Sequence, residues 1–152
     1  MAAIQEVNAP IVLRPIGHVS NGIDAPMEKG WEEVISELVL DPGLEEAAEG
    51  LEQFSHIIVV FWMHQVPREK GVPTKVHPRR REDLPLVGLF ATRAPSRPNP
   101  LGISVVRLLE CRRNVLKVKG LDAINGTPII DIKSYFPRDD TSVVIPPWAK
   151  RL

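Results

Sequence analysis

The chain has 152 residues and a formal net charge of zero, with 19 lysines and arginines against 19 aspartates and glutamates. This length is close to the commonest size of one domain and buries enough surface to fold without a disulfide or metal, while 43% apolar and 25% charged residues exclude a disordered chain. The charge balance excludes a global pull toward nucleic acid, and the single cysteine, Cys111, excludes an intrachain disulfide.

Met1 to Pro10 lacks the basic stretch and following apolar core of a signal peptide. The longest apolar run, Ile57 to Met63, is far too short to cross a bilayer as a helix. A single cytoplasmic domain over residues 1–152, with no membrane partner, is expected. Fifteen prolines argue against long helices. In chain order, Ile11 to Val19 predicts a first strand and Glu37 to Leu40 a second. Asp41 to Gly50 predicts a helix, with Asp41 as cap, Pro42 at its first position, Glu45 and Glu46 at its positive end, and Gly50 closing it. Phe54 to Met63 predicts a strand buried on both faces.

A polar connection follows from His64 to Pro85, longer than loops without a role usually are. Leu86 to Ala91 and Ile103 to Leu109 predict two further strands. Asn114 to Gly120 alternates lysine with apolar residues, so one of its faces is wet. Asn125-Gly126 marks a turn, and Pro128 to Lys133 the last strand. These elements predict a mainly β fold: a small closed or partly open barrel of about seven strands with one or two short helices.

The densest chemistry lies in Gly88 to Ser104. Pro95, Pro98 and Pro100 stiffen a loop that carries Arg93, Arg97 and Asn99, and such preorganisation lowers the entropy cost of binding. Arginine offers a fixed fork for carboxylate or phosphate. In a second segment, Asp122 and Asn125 flank a turn and Asp131 sits inside a strand, where aspartate is uncommon. Asp131 is read as an ion-pair partner, a ligand group or a base. Arg79-Arg80-Arg81 is the one triple-basic cluster, a phosphate contact or a solvated run followed by Glu82-Asp83. His56, His64 and His77 lack metal-ligand spacing, so no metal is expected. His56 reads as a satisfied core residue, Cys111 as inert, and Trp31, Trp62 and Trp148 as core or interface.

Phe90 to Ser104 resembles the signature loop of the TsaA/TrmO-like family. Asp122 to Tyr135, Arg14-Pro-Ile-Gly-His18, and Leu51 to Ile57 with the strand through His64 resemble its other motifs, in order from about Pro15 to Pro137. Two departures stand out: Asn125 where the family usually has aspartate, and Asn21-Gly22 where it has Ser-Pro. The chain ends at Leu152, without the further C-terminal domain that some members carry.

The resemblance implies a small β-barrel acting as a homodimer, with S-adenosylmethionine near the subunit interface. It implies methylation of N6 of threonylcarbamoyladenosine at position 37 of tRNA. It places Pro15, Ile16, Gly17, His64, Gln65, Arg93, Leu101, Ile103, Ala123, Ile124, Asn125 and Gly126 at the cofactor. An amide-like N6 is a poor nucleophile until it loses its proton, so a positioned base or cations favouring the deprotonated form would help, and Asp131, Asp122 and His64 are the candidates for the base. Arg79, Arg80, Arg81, Arg97 and Asn99 are the candidates for RNA contact. The alternatives are a regulatory module that binds S-adenosylmethionine and a methyltransferase for a small molecule.

Overall fold

Every second residue is buried along β3 (His56–Trp62), so one face of that strand closes the core and the other does not. The computed structural model describes residues 9–138 and 142–152. Its other strands are β1 (Gly17–Ser20), β2 (Ile35–Leu40), β4 (Lys75–Val76), β5 (Val87–Gly88), β6 (Leu101–Arg112), β7 (Val115–Lys119) and β8 (Pro128–Ser134). Six of them close a barrel in the order β1-β2-β7-β6-β3-β8, with β8 pairing back to β1. All these pairings are antiparallel. Closure removes free edges from the barrel. β4 and β5 form a separate two-stranded ribbon.

The mainly β expectation holds, and the core is built by the inward half of each strand. Val19, Leu38, Ile57, Val59, Val106, Leu116, Val118 and Ile129 meet inside the barrel. The outward residues of β3, from Ile58 to Trp62, are only half-buried, which corrects the expectation of burial on both faces. An antiparallel sheet needs just one face covered.

Three local expectations also change. Strand pairing begins at Gly17 rather than Ile11, because Pro15 has no amide to give and restricts Arg14 before it. Ile11, Val12 and Leu13 stay exposed. The helix expected over Asp41 to Gly50 is a 3-10 segment, Pro42–Ala48, and the Asp41 side chain caps nothing. Only Ala48 in it is buried, so no apolar stripe holds a full α-helix against the core. The strand expected over Leu86 to Ala91 lies outside the barrel: Val87–Gly88 pairs with β4, and Leu89–Ala91 turns as a 3-10 segment.

Candidate functional site

Strand register gathers the motif segments at one end of the barrel. Trp62 lies opposite Leu101, and the Met63 amide donates to the Pro100 carbonyl at 2.8 Å. His64 and Gln65 therefore leave β3 beside the proline-braced loop, both exposed. Pro128 at the start of β8 pairs with His18, the Val19 amide donates to the Thr127 carbonyl at 2.9 Å, and the Gly126 amide donates to the Val19 carbonyl at 2.7 Å. A largely apolar cleft of about 680 Å³ opens here, walled by Pro15, Trp62, Asn99, Leu101, Pro128 and Ile130. Ala9, Pro10, Ile11 and Leu13 of the N-terminal segment also line it.

Of the residues singled out in the sequence, Pro15, Asn99 and Leu101 meet in this cleft. Ile16 and Gly17 sit just behind it, with the Ile16 amide donating to the Ile129 carbonyl at 2.8 Å. Ile103 lies two residues beyond Leu101 on the outer face and is 61% exposed. Trp62 carried no ligand reading in the sequence, yet it forms a wall of the cleft. The Arg68 guanidinium lies over its ring, 5.3 Å from the centroid.

The Ala123 to Gly126 turn is fixed by side-chain amides. Ala123 and Ile124 are buried. The Asn21 side chain donates to the Ala123 carbonyl at 2.8 Å and to buried Ser36 Oγ at 3.0 Å. The Asn21 backbone amide donates to Asn125 Oδ1 at 3.2 Å, and Asn125 Nδ2 donates to Asp24 Oδ1 at 3.2 Å. The two sequence departures, at Asn21 and Asn125, are thus one structural unit. The carboxylate absent from position 125 is present beside it, on Asp24.

The two candidate carboxylates differ. Asp131 faces outward opposite Val60. Its Oδ1 accepts the Ile132 amide at 2.9 Å and its Oδ2 pairs with Lys133 Nζ at 2.9 Å, so both oxygens are engaged. Asp122 is exposed, on the stretch that runs on from β7 alongside β6, and accepts the Ser104 hydroxyl at Oδ1. Its Oδ2 has no partner among the described residues.

The arginines divide as well. Arg93 is exposed and unpartnered among the described residues, whereas Arg97 staples its own loop. Its guanidinium donates to the Thr92 and Ala94 carbonyls at 3.0 and 3.2 Å and lies 5.6 Å from the centroid of the Phe90 ring. Arg81 pairs with Asp83 at 2.6 Å and donates to the Arg151 carbonyl at 2.7 Å, while the Arg151 guanidinium also reaches Asp83 at 2.9 Å. The Arg81 hydrogen bond holds the Asp83 carboxyl below its usual range. Arg79 and Arg80 are exposed, unpaired among the described residues, and left-handed, at φ 51° and 57°. Such a backbone costs roughly 1–3 kcal/mol per residue and persists only where its surroundings impose it.

His56 is satisfied by a 2.7 Å contact to Ser55 Oγ and faces the Tyr135 ring, half-buried rather than in the core. Burial pushes the Cys111 thiol up, and Glu52 adds to this, which suits an inert cysteine. Among the described residues no cluster of three His, Cys, Asp or Glu could hold a metal, and no helix is long and apolar enough to cross a membrane.

The profile of the tRNA-methyltransferase O N-terminal domain matches residues 19–141. The chain belongs to this family. Over 137 residues it is 42% identical to an S-adenosyl-L-methionine-binding protein of Archaeoglobus fulgidus, covering 86% of this chain and 93% of that one. It is 44% identical over 96 residues to the tRNA (adenine(37)-N6)-methyltransferase of Escherichia coli, covering 60% of this chain and 40% of that enzyme. The crystal structure of TrmO from Pseudomonas aeruginosa superposes with a TM-score of 0.73 at 32% identity, over 96% of this chain and 64% of that one. The family match thus takes in most of this chain, while the chain spans under two thirds of the solved TrmO chain's length.

Proposed function

We propose that this member of the tRNA-methyltransferase O family transfers a methyl group from S-adenosylmethionine to N6 of threonylcarbamoyladenosine at position 37 of tRNA. The observation that carries the reading is the apolar cleft where Pro15 of the N-terminal motif and Asn99 and Leu101 of the signature loop converge on Trp62. Its volume, about 680 Å³, is that of a small-molecule site, and one amide among apolar walls is the usual lining. The Trp62 ring attracts a cation, as its contact with Arg68 illustrates, and a sulfonium is a cation. The Asn99 side chain supplies a donor and an acceptor that could orient the cofactor. When bound, S-adenosylmethionine supplies an electrophilic methyl on positively charged sulfur.

The protein's own residues then have three tasks. The prolines of the Asn99 loop hold the cleft wall in place, so little order is lost on binding. Asp122 takes the N6 proton with Oδ2, which has no partner among the described residues, while Ser104 fixes the orientation of the carboxylate. Arg93, unpaired among the described residues, offers its guanidinium to the carboxylate of the cofactor. His64 and Gln65, which leave β3 beside the proline-braced loop, and the Ala123 to Gly126 turn are the further candidates for cofactor contact. A homodimer, formed through the apolar outer face of β3 and β6, closes the site, and the protein works in the cytoplasm.

A second reading is a module that binds S-adenosylmethionine without modifying RNA. The relatives from Archaeoglobus fulgidus and Methanothermobacter thermautotrophicus, matched over 93% and 94% of their length, are named for binding alone. Mass spectrometry of nucleosides from tRNA incubated with protein and cofactor decides between them. Methylated threonylcarbamoyladenosine is expected; cofactor binding by calorimetry with unmodified nucleosides leaves the binding module or a small-molecule acceptor.

A further inference from the structure

A second cleft, of about 470 Å³, lies in the long connection between β3 and β5. Lys70 and Arg80 line it, with Ser96 contributed by the proline-braced loop and Gly71 and Pro73 by its floor. Both cations are exposed and have no acidic partner among the described residues. The turn that carries Arg80 is closed from several sides. The His77 ring contacts the Leu84 carbonyl at 2.8 Å, the Arg80 amide donates to the His77 carbonyl at 3.0 Å, and the Arg81 amide donates to the Pro78 carbonyl at 3.0 Å. Pro78 and Leu84 are buried anchors at its two ends. Asp83 then ties Arg81 to Arg151 of the C-terminal segment. These restraints hold Arg79 and Arg80 in the left-handed backbone region that side chains avoid.

We infer that this cleft binds a backbone phosphodiester of RNA, with Lys70 and Arg80 as its charged ligands, Ser96 as a hydroxyl donor, and Asp83 as the positioning residue for the turn. The inference rests on the tRNA reading above and refines it. The triple-arginine cluster does not act as one patch: Arg81 is committed to Asp83 and Arg151, and Lys70, earlier in the same connection, takes its place. A strained turn that commits Arg81 to Asp83 and Arg151 while leaving Arg80 exposed is suited to a fixed anion. A phosphodiester and free phosphate share the chemistry, but RNA also follows from the cleft's position beside the proline-braced loop that leads to Asn99 and Leu101.

The test measures binding of unfractionated tRNA by the full chain across a range of salt concentrations. Lys70→Gln and Arg80→Gln should each flatten the dependence of log affinity on log salt by about one, equally for all tRNA species. Cofactor affinity by calorimetry should stay unchanged. Arg112→Gln removes an exposed cation at the far end of β6, roughly 35 Å along the strand, and should leave the slope as it is. Asp83→Asn should weaken tRNA binding although it removes a negative charge, an outcome opposite to that of a diffuse field. If wild-type protein binds tRNA with a salt slope that neither cleft variant changes, or that Arg112→Gln flattens as much, the cleft assignment falls and the tRNA reading survives. If wild-type protein binds no tRNA at low salt, both fall. If inorganic phosphate alone gives heat that Arg80→Gln abolishes while tRNA binding is unaffected, the cleft takes a free anion and the RNA assignment is overturned.

Discussion

Gly102 lies directly opposite Phe61 in the barrel, and a β-carbon at Gly102 would land on the Phe61 ring. Phe61 is almost fully buried, so the ring has nowhere to go. The glycine of the signature loop is therefore a packing requirement at the barrel end that carries the cleft. Gly102→Ala should destabilise the fold by about 1–3 kcal/mol, the usual cost of overpacking. Phe61→Leu in the same chain should recover part of that loss. Urea denaturation of the two variants checks it; an unchanged midpoint for Gly102→Ala would mean that the ring yields freely.

Asp122 and Asp131 should separate in kinetics. Asp131 pairs with Lys133 and faces outward, whereas one Asp122 carboxylate oxygen has no partner among the described residues. Asp122→Asn should lower kcat by about 10²–10⁴-fold, the span of a lost general base, with cofactor affinity retained. Asp131→Asn should change kcat little. The reverse pattern in single-turnover methyl transfer would transfer the role to Asp131.

Asn125 and Asp24 form one hydrogen-bonded pair. Asn125→Asp, the residue usual in the family, sets two carboxylates against each other and removes the amide donor. A loss of about 1 kcal/mol is expected, from one hydrogen bond and a like-charge contact. Adding Asp24→Asn swaps the pair and should restore the melting temperature. Independent, additive effects of the two changes would contradict the pairing.

Ile103 and Val105 are exposed on β6 opposite Val60 and Ile58 of β3, an apolar strip continuous with Trp62. If this strip is the homodimer interface, Ile103→Glu should raise the dimer dissociation constant at least ~10-fold, since a charge would have to be buried without a partner. The thermal stability of the barrel should hold, because Ile103 already points away from the core. Sedimentation equilibrium checks the first effect and circular dichroism the second. A dimer unaffected by the substitution would place the interface elsewhere.

What the sequence determined by itself was local. The alternation of Leu116 and Val118 with lysines, the proline bracing around Asn99 and the Asn125-Gly126 turn are set by side-chain size, fixed φ angles and short-range solvation, and each stands in the structure as read. The β character of Phe54 to Met63 was equally plain, but its burial was not, because whether a second face is covered depends on what packs there. The helix over Asp41 to Gly50 failed for the same reason: good capping residues cannot substitute for an apolar face against the core. Tertiary structure alone decided which charges are free. Asp122 shows its hydrogen bond only once β6 brings Ser104 beside it, 18 positions away, and Arg81 looks like Arg80 until Arg151, 70 positions away, joins Asp83 in claiming it. The pairing of Asn21 with Asn125 spans 104 positions. Contacts at such separations follow from barrel closure and strand register, which are properties of the whole packed chain and leave no mark on any short segment.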